Sequence, residues 1–226
     1  VAATNLAFEN SGVFPRIRLV GTAEVAYVDR LADSQTALVR LRGATDGFMD
    51  NLHSLRDSLG ADAVSLLVLR PTDGSVCGIG YLIDQPGAPG AANYAFNVVR
   101  NTCAVGNLSF PHELGHNFGL EHDRANAGGS LPSQPYAYGY RDPIGNFRDI
   151  MAYNCTLGCP RLQYFSTPDI IINGRPFGVN YLFATAADNT RALNANAPLM
   201  AQWRSEVVSS VSFTDDPLIA GVTPVR

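Results

Sequence analysis

An α/β fold, with a twisted mixed sheet of five or fewer strands, helices packed on it and an irregular C-terminal part ending in a helix, is what the 226-residue sequence predicts. Three observations carry this. The segment Asp62 to Arg70 (DAVSLLVLR) is a nearly continuous apolar run, as in a strand covered on both faces. Apolar residues spaced by three or four before it, and again near the end of the chain, mark helices. Beyond Gly119 the pattern dissolves, with Gly128, Gly129, Pro132, Pro135, Gly139, Pro143 and Gly145 punctuating a stretch of little periodicity.

Taken in order, Phe14 to Val28 alternates enough to predict a strand, with Ile17 and Leu19 on one face. From about Ala32 to Leu59, Leu38, Leu41, Phe48, Leu52, Leu55 and Leu59 predict a long helix, interrupted near Gly43 to Gly47 and stopped by Gly60. The strand over 62–70 is followed by a turn at Pro71 to Gly74 and a second strand over Val76 to Ile83. Gln85 to Ala92 reads as a loop by its Pro and Gly content, and Tyr94 to Arg100 as a third short strand. A helix follows, beginning near Ser109 as its cap, because Pro111 fits only a first helical turn. The last helix is predicted over about Thr185 to Val207, with Leu193, Leu199, Met200 and Trp203 facing the core. The organisation expected is one domain over 1–207, with an upper part to about 119 and a lower part over 120–207, then a tail over 208–226.

Composition narrows the function classes. With 46% hydrophobic and 16% charged residues, the chain can fill a core and is not broadly disordered. The sixteen basic residues are all Arg and scattered from Arg16 to Arg226, leaving no basic patch for nucleic acid at a net charge of −4. No apolar run approaches the roughly 18 residues that span a membrane. The sequence starts at Val1 without an initiator Met or signal-type segment and reads as a mature or processed form. Four cysteines allow three complete pairings. Cys155 and Cys159 enclose only Thr-Leu-Gly, so they are paired locally and Cys77 with Cys103, against the alternatives of reduced core thiols or a thiolate zinc site. Disulfides imply an oxidising, extracellular setting.

The chemistry lies in Phe110 to Arg124 (FPHELGHNFGLEHDR), where three of the four histidines fall within eleven residues. Positions i and i+4 share a helix face, so His112 and His116 can offer ring nitrogens to one metal. Gly119 lets the chain leave the helix through a left-handed residue, and the turn returns His122 as third ligand. Three neutral imidazoles with an open fourth position describe a catalytic zinc site. Glu113 stands where it can take a proton from water at that position. Surface histidines on an amphipathic helix are the bland alternative, which the added Gly119 and His122 disfavour. His53 reads as a surface or partly packed histidine, and Asp29, Asp33, Asp73 and Asp84 show no calcium-loop spacing, so a structural Ca2+ has no support.

The motif, closing in His122-Asp123, resembles that of the metzincin zinc endopeptidases, particularly the reprolysin or adamalysin branch. The resemblance covers about residues 14 to 207. It implies a Met-containing turn beneath the metal, for which Asp149-Ile150-Met151-Ala152-Tyr153 stands 29 residues after His122. It also implies that Met151 floors the metal pocket without ligating, that Asp123 anchors the Met-turn region by hydrogen bonds, and that a prosegment is removed at Val1. Tyr153 has the spacing of a tyrosine that steadies the oxyanion in the astacin and serralysin branches, against the alternative of a packed core tyrosine. Gly78, Ile79 and Gly80 fall on the implied edge strand above the cleft, to which an extended peptide adds by backbone hydrogen bonds. Asn154 to Ser166 falls at the wall of the main specificity pocket.

The layout around Cys103 to Ser109 and around Cys155 to Arg161 resembles that of secreted bacterial enzymes, including peptidyl-Asp metalloendopeptidases. This motivates Arg161, or else Arg148 or Arg141, as a guanidinium for an acidic residue after the scissile bond, against a plain solvated or salt-bridged arginine. The expectation is a secreted, monomeric zinc endopeptidase acting on extended proteins or peptides, with no nucleic-acid or membrane partner. The rivals are a zinc-bearing adhesion or binding module and a metallohydrolase of a nonpeptide amide.

Overall fold

The computed structural model describes residues 1–207, so the tail expected over 208–226 lies outside the described residues. It opens with a helix the sequence pattern did not announce, α1 (Ala2–Ser11), closed by Gly12 in the left-handed conformation at φ 77°. Two of its four buried positions, Thr4 and Ser11, are polar, which blurs the apolar stripe that would have marked it. Its Phe8 packs edge-on against Phe118 and Phe165.

The strand predicted over Phe14 to Val28 is not formed; the segment carries no ladder. At its start the side-chain amide of Asn5 accepts from Ile17 N and donates to Ile17 O, both at 2.8 Å. Just past its end, the Asp29 carboxylate accepts the amides of Leu69 and Arg70. A side chain thus serves Ile17 in place of a neighbouring strand, and another serves the amides of Leu69 and Arg70. An apolar cavity of about 790 Å³, lined by residues such as Ile17, Leu19, Leu55, Leu66 and Phe110, lies against the segment.

The predicted long helix is two: α2 (Ser34–Arg42), capped by the Asp33 carboxylate accepting from Thr36 N at 2.7 Å, and α3 (Asn51–Ser58). Between them Gly47 and Met49 take positive φ, and Gly60 at φ 61° ends α3 as expected. Three strands follow, each shorter than predicted: β1 (Val64–Val68), β2 (Gly78–Gly80) and β3 (Phe96–Arg100). They form one sheet in the order β1-β3-β2, below the five strands allowed for. β1 pairs parallel to β3 with Val64 opposite Phe96, and β2 pairs antiparallel to β3 with Ile79 opposite Val98. Phe96 and Val98 join Leu38, Leu41, Leu52, Leu66 and Val68 in one core cluster. The alternate residue Asn97 is also buried, so β3 is covered on both faces.

A short helix α4 (Asn101–Ala104) leads to α5 (Ser109–Asn117). The Asn97 amide donates to Asn117 Oδ1 at 2.8 Å, fixing α5 to the central strand. The Cys77–Cys103 and Cys155–Cys159 disulfides are both formed. The lower part is built from short pairings. β4 (Glu121–Asp123) runs parallel to β5 (Tyr138–Gly139), and β6 (Arg141–Asp142) is antiparallel to β7 (Phe147–Arg148). The hairpin β8 (Thr167–Ile172) to β9 (Arg175–Phe177) turns on Asn173-Gly174, both at positive φ.

The last helix, α6 (Asn189–Met200), is shorter than predicted at both ends and starts from the Asp188 side chain, which accepts from Arg191 N. Leu193 and Met200 are buried as expected, whereas Leu199 is 41% exposed and does not face the core. Trp203 is partly buried and donates from Nε1 to Pro86 O. Among the described residues no helix is long and apolar enough to cross a membrane.

Candidate active site

α5 begins at Ser109, the late start that Pro111 requires, but Ser109 is the first helical residue and not the cap. Leu108, in the left-handed region at φ 55°, occupies that place without a side-chain bond, and its carbonyl accepts from His112 N. Pro111 therefore sits within the first turn, where its missing N–H leaves nothing unpaired. At the other end Gly119 has φ 83°, and a Cβ there would come within 2.7 Å of Ile83 O, so the exit that returns His122 needs glycine twice over.

The three imidazoles converge. His122 Nε2 lies 3.2 Å from His112 Nε2 and 3.1 Å from His116 Nε2. Ligands at about 2.0–2.1 Å from a tetrahedral zinc stand roughly 3.3 Å apart, so the spacing matches that ion. The remaining ring nitrogens face acceptors. His112 Nδ1 donates to Ile150 O and His116 Nδ1 to Leu120 O, each at 2.8 Å, while His122 Nδ1 lies 3.2 Å from Glu121 Oε1. A carbonyl can only accept, so the proton sits on Nδ1 and Nε2 keeps its lone pair for a metal. Burial, reinforced by the neighbouring imidazoles, holds His112 well below its ordinary pKa and pushes His116 down to about 4, so both are neutral at physiological pH. On donor type, number, protonation and spacing, the residues fit zinc.

Glu113 is buried beside them, and burial pushes its carboxyl up to about 8 against the opposing pull of the Arg161 guanidinium. Its side chain lies beneath β2, the free edge of the sheet. A Cβ on Gly78 would come within 2.6 Å of Glu113 Cγ, and one on Gly80 within 2.7 Å of Glu113 O. Glycine at both positions lets the edge strand pass directly over the candidate base. Met151 is fully buried, with its thioether against Gly115, between the two helical histidines. Tyr153 is 47% exposed, so it is not a core tyrosine; its ring centroid lies 4.5 Å from that of His122. Asp123 accepts from Tyr153 N at 3.0 Å and pairs with Arg141 at 3.1 Å, joining the motif to the residues after the Met-turn.

Beside the metal site, a cavity of about 450 Å³ is lined by Cys77, Asn107, Leu108, Ser109, Arg148 and Arg161 among others. Arg161 donates to Asn107 O and Ala152 O; Arg148 donates to Cys159 O and Ala152 O. Among the described residues neither has a carboxylate at ion-pair distance, whereas Arg141 is engaged with Asp123 and Asn154 O. Burial, with Arg148 adding its charge, lowers Arg161 to about 10. His53 is held by Gly43 O and packs tilted against the Phe96 ring, apart from the three histidines. Asp29, Asp33 and Asp73 spend their oxygens on backbone and hydroxyl donors. Two groups went unread in the sequence: Glu121, whose adjacency to His122 was a visible signal, and Asp149, two residues before Met151, for which no periodicity gives a signal.

The likenesses to known proteins agree with this geometry. Residues 1–182 match the model of metallo-peptidase family M12B, reprolysin-like. The chain is 39% identical over 208 residues to a peptidyl-Asp metalloendopeptidase of Stenotrophomonas maltophilia, covering 89% of this chain and 46% of the relative. It is 38% identical over 203 residues to one of Xanthomonas campestris pv. campestris, covering 89% and 45%. The chain thus spans a little under half the length of these relatives. A solved structure described as a chaperone-substrate complex aligns with a TM-score of 0.64 at 24% identity, covering 91% of this chain and 30% of that one, which shows the fold alone. With a histidine triad set for a metal and a family match across most of its length, the chain belongs to the reprolysin-like metallopeptidases of family M12B.

Proposed function

We propose that this chain is the catalytic part of a secreted zinc endopeptidase that hydrolyses internal bonds of extended proteins or peptides. The observation that carries the reading is the convergence of three bare Nε2 atoms next to a buried carboxyl under an exposed sheet edge. Zinc, when bound by His112, His116 and His122, supplies Lewis-acid polarisation and makes water at its open position acidic near pH 7. Substrate adds antiparallel to β2 through the backbone of Gly78, Ile79 and Gly80. Glu113 takes a proton from the attacking water and passes it to the leaving amine. Met151 floors the histidines, and the Tyr153 hydroxyl, at the rim beside His122, donates to the developing oxyanion.

The residue after the scissile bond is acidic in this reading. Arg161, with Arg148, supplies guanidinium donors in a cavity without a carboxylate partner, and the relatives' peptidyl-Asp name points the same way. Two disulfides favour export, and substrates are the only partners the reading requires. The upper and lower parts, 1–119 and 120–207, form the two sides of one substrate groove. Cleavage of a peptide library, run with and without a zinc chelator, tests all of this. Chelator-sensitive cuts enriched for Asp or Glu after the bond are expected. Chelator-sensitive cuts without that enrichment would remove the arginine pocket, and no peptide hydrolysis would return the binding-module and nonpeptide-amide rivals.

A further inference from the structure

Beneath the three histidines the Asp149 carboxylate is fully buried, and among the described residues no cation lies at ion-pair distance from it. It accepts four hydrogen bonds. Oδ1 takes the amides of Tyr140 and Ala152, at 3.2 and 2.8 Å, and Oδ2 takes Ser166 N and Asn189 Nδ2, at 3.0 and 3.2 Å. Four donors fill the four lone-pair sites of an ionised carboxylate, which is more than closing one turn requires. The bond to Ala152 N closes the turn 149–152 from within. The other three tie that turn to Tyr140 between β5 and β6, to Ser166 just before β8, and to the first residue of α6. Space is closed around it as well: a Cβ on Gly139 would lie 2.9 Å from Ala152 N and 3.0 Å from Asp149 Oδ1.

Two carbonyls leave this turn for functional groups. Ile150 O accepts from His112 Nδ1, and Ala152 O accepts from both Arg148 and Arg161. We infer that Asp149 is a positioning residue that sets, through one turn, both the ring orientation of His112 toward the metal and the place of the two arginines in the neighbouring cavity. The inference rests on the zinc reading above. Acceptors behind a ligating histidine fix its tautomer and ring plane, and losing one weakens metal affinity by about 10–100-fold. A carboxylate one step further back, clamping the peptide that carries the acceptor, acts on the same angle.

The test is Asp149→Asn in the full protein, which keeps shape but turns an N–H₂ toward N–H donors. Zinc affinity is read by competition with a chromophoric chelator, and ligand geometry by the visible absorption of the cobalt-substituted protein. Zinc affinity is expected to fall by about 10-fold or more, with an altered cobalt spectrum, in protein that remains folded. A folded variant with wild-type zinc affinity and spectrum would overturn the inference, whatever its melting temperature, because a merely structural carboxylate moves only the latter. If Asp149→Asn does not fold, Asn189→Ala removes one donor of the four; a severalfold loss of affinity supports the inference and none overturns it. A wild-type protein that takes up no zinc would fail earlier, sinking the zinc reading and this inference together.

Discussion

The sheet half and the half that follows the metal motif bury different kinds of residue. Around β1 and β3 the interior is Leu38, Leu41, Leu52, Leu66, Val68, Phe96 and Val98, and apart from the histidine motif itself the buried ionisable side chain among the described residues of this half is Arg56. From β4 onward the buried set includes Glu121, which faces the His122 ring nitrogen, and Asp123, Asp142, Asp149 and Asp188, which receive backbone amides. One half is held by area removed from water along regular elements. The other is held by carboxylates gathering the amides of turns that no helix or ladder satisfies. The difference teaches where precision comes from here: the periodic half supplies a rigid helix for two ligands, and the polar half steers the loops that complete the site.

The largest expected effect lies at the junction. Glu113→Gln keeps the shape and the zinc but removes the base, so kcat should fall by about 10²–10⁴-fold with zinc content unchanged. Near-wild-type turnover in the zinc-loaded variant would take the base role away from Glu113. In the apolar half, Phe96→Ala should cost about 3–5 kcal/mol of stability, read as a shift in the denaturant midpoint. Protein of that variant that remains folded should bind zinc as before, since the aromatic ring faces the α2 side of the sheet and α5 packs on the other. A collapse of zinc affinity in the folded protein would contradict the division drawn above.

How much of this the sequence disclosed follows the same line. α2 and α3 were legible because burial there recurs every three to four residues, and β1 and β3 because they are short apolar runs bounded by turn residues. The three histidines that could hold a metal were legible because one helix turn and one glycine dictate their spacing. α1 was hidden by the polar Thr4 and Ser11 on its buried face. The segment 14–28 looked like a strand because alternation reports two faces and not a backbone partner; its Ile17 pairs with the Asn5 side chain instead of a neighbouring strand. The β8–β9 hairpin carried its signal in Asn173-Gly174 after Ile170 to Ile172, and went unread among so many other turn residues. Asp149 was out of reach for a general reason: a lone buried carboxylate is chosen by the groups folded around it, and three of its four donors are non-local, whereas Glu121 stood in view beside His122.

Acid should expose the polar machinery of the site in zinc-free protein. The folded-state pKa of His116, pushed down to about 4 by burial and by the charge of His122, lies below the ordinary 6.5 of an unfolded histidine. The unfolded chain therefore takes up a proton that the folded one refuses. The stability tied to the neutral ring is complete above pH 6.5 and lost as pH falls toward 4, by roughly 3 kcal/mol for His116, with His112 acting in the same direction. Denaturant midpoints of chelator-treated protein, measured at intervals across that range, should fall steadily, and a His116→Gln variant should flatten the slope. A flat wild-type curve would mean that the imidazoles are not buried as described.

The smallest effect separates two jobs done by one buried carboxylate in the polar half. Asp142 Oδ1 accepts from Ile144 N at 3.0 Å and Gly145 N at 2.9 Å, while Oδ2 is bonded by the Nε of Arg175. Burial alone would raise its pKa, but the Arg175 bond and the two amides outweigh it and hold the carboxyl below the usual range. Asp142→Asn keeps an oxygen for the amides and loses only the ion pair, whose arginine is half-exposed, so about 0.5–1 kcal/mol should be lost. The folded pKa is depressed, so the contribution is present above pH about 4 and fades as pH falls below it, and the two midpoint curves should converge in acid. Asp142→Ala also strands the amides of the turn and should cost about 1–3 kcal/mol. If the two variants were equally destabilised, the ion pair rather than the amides would be what Asp142 is buried for, and polar gathering of turn amides would not be the rule in this half.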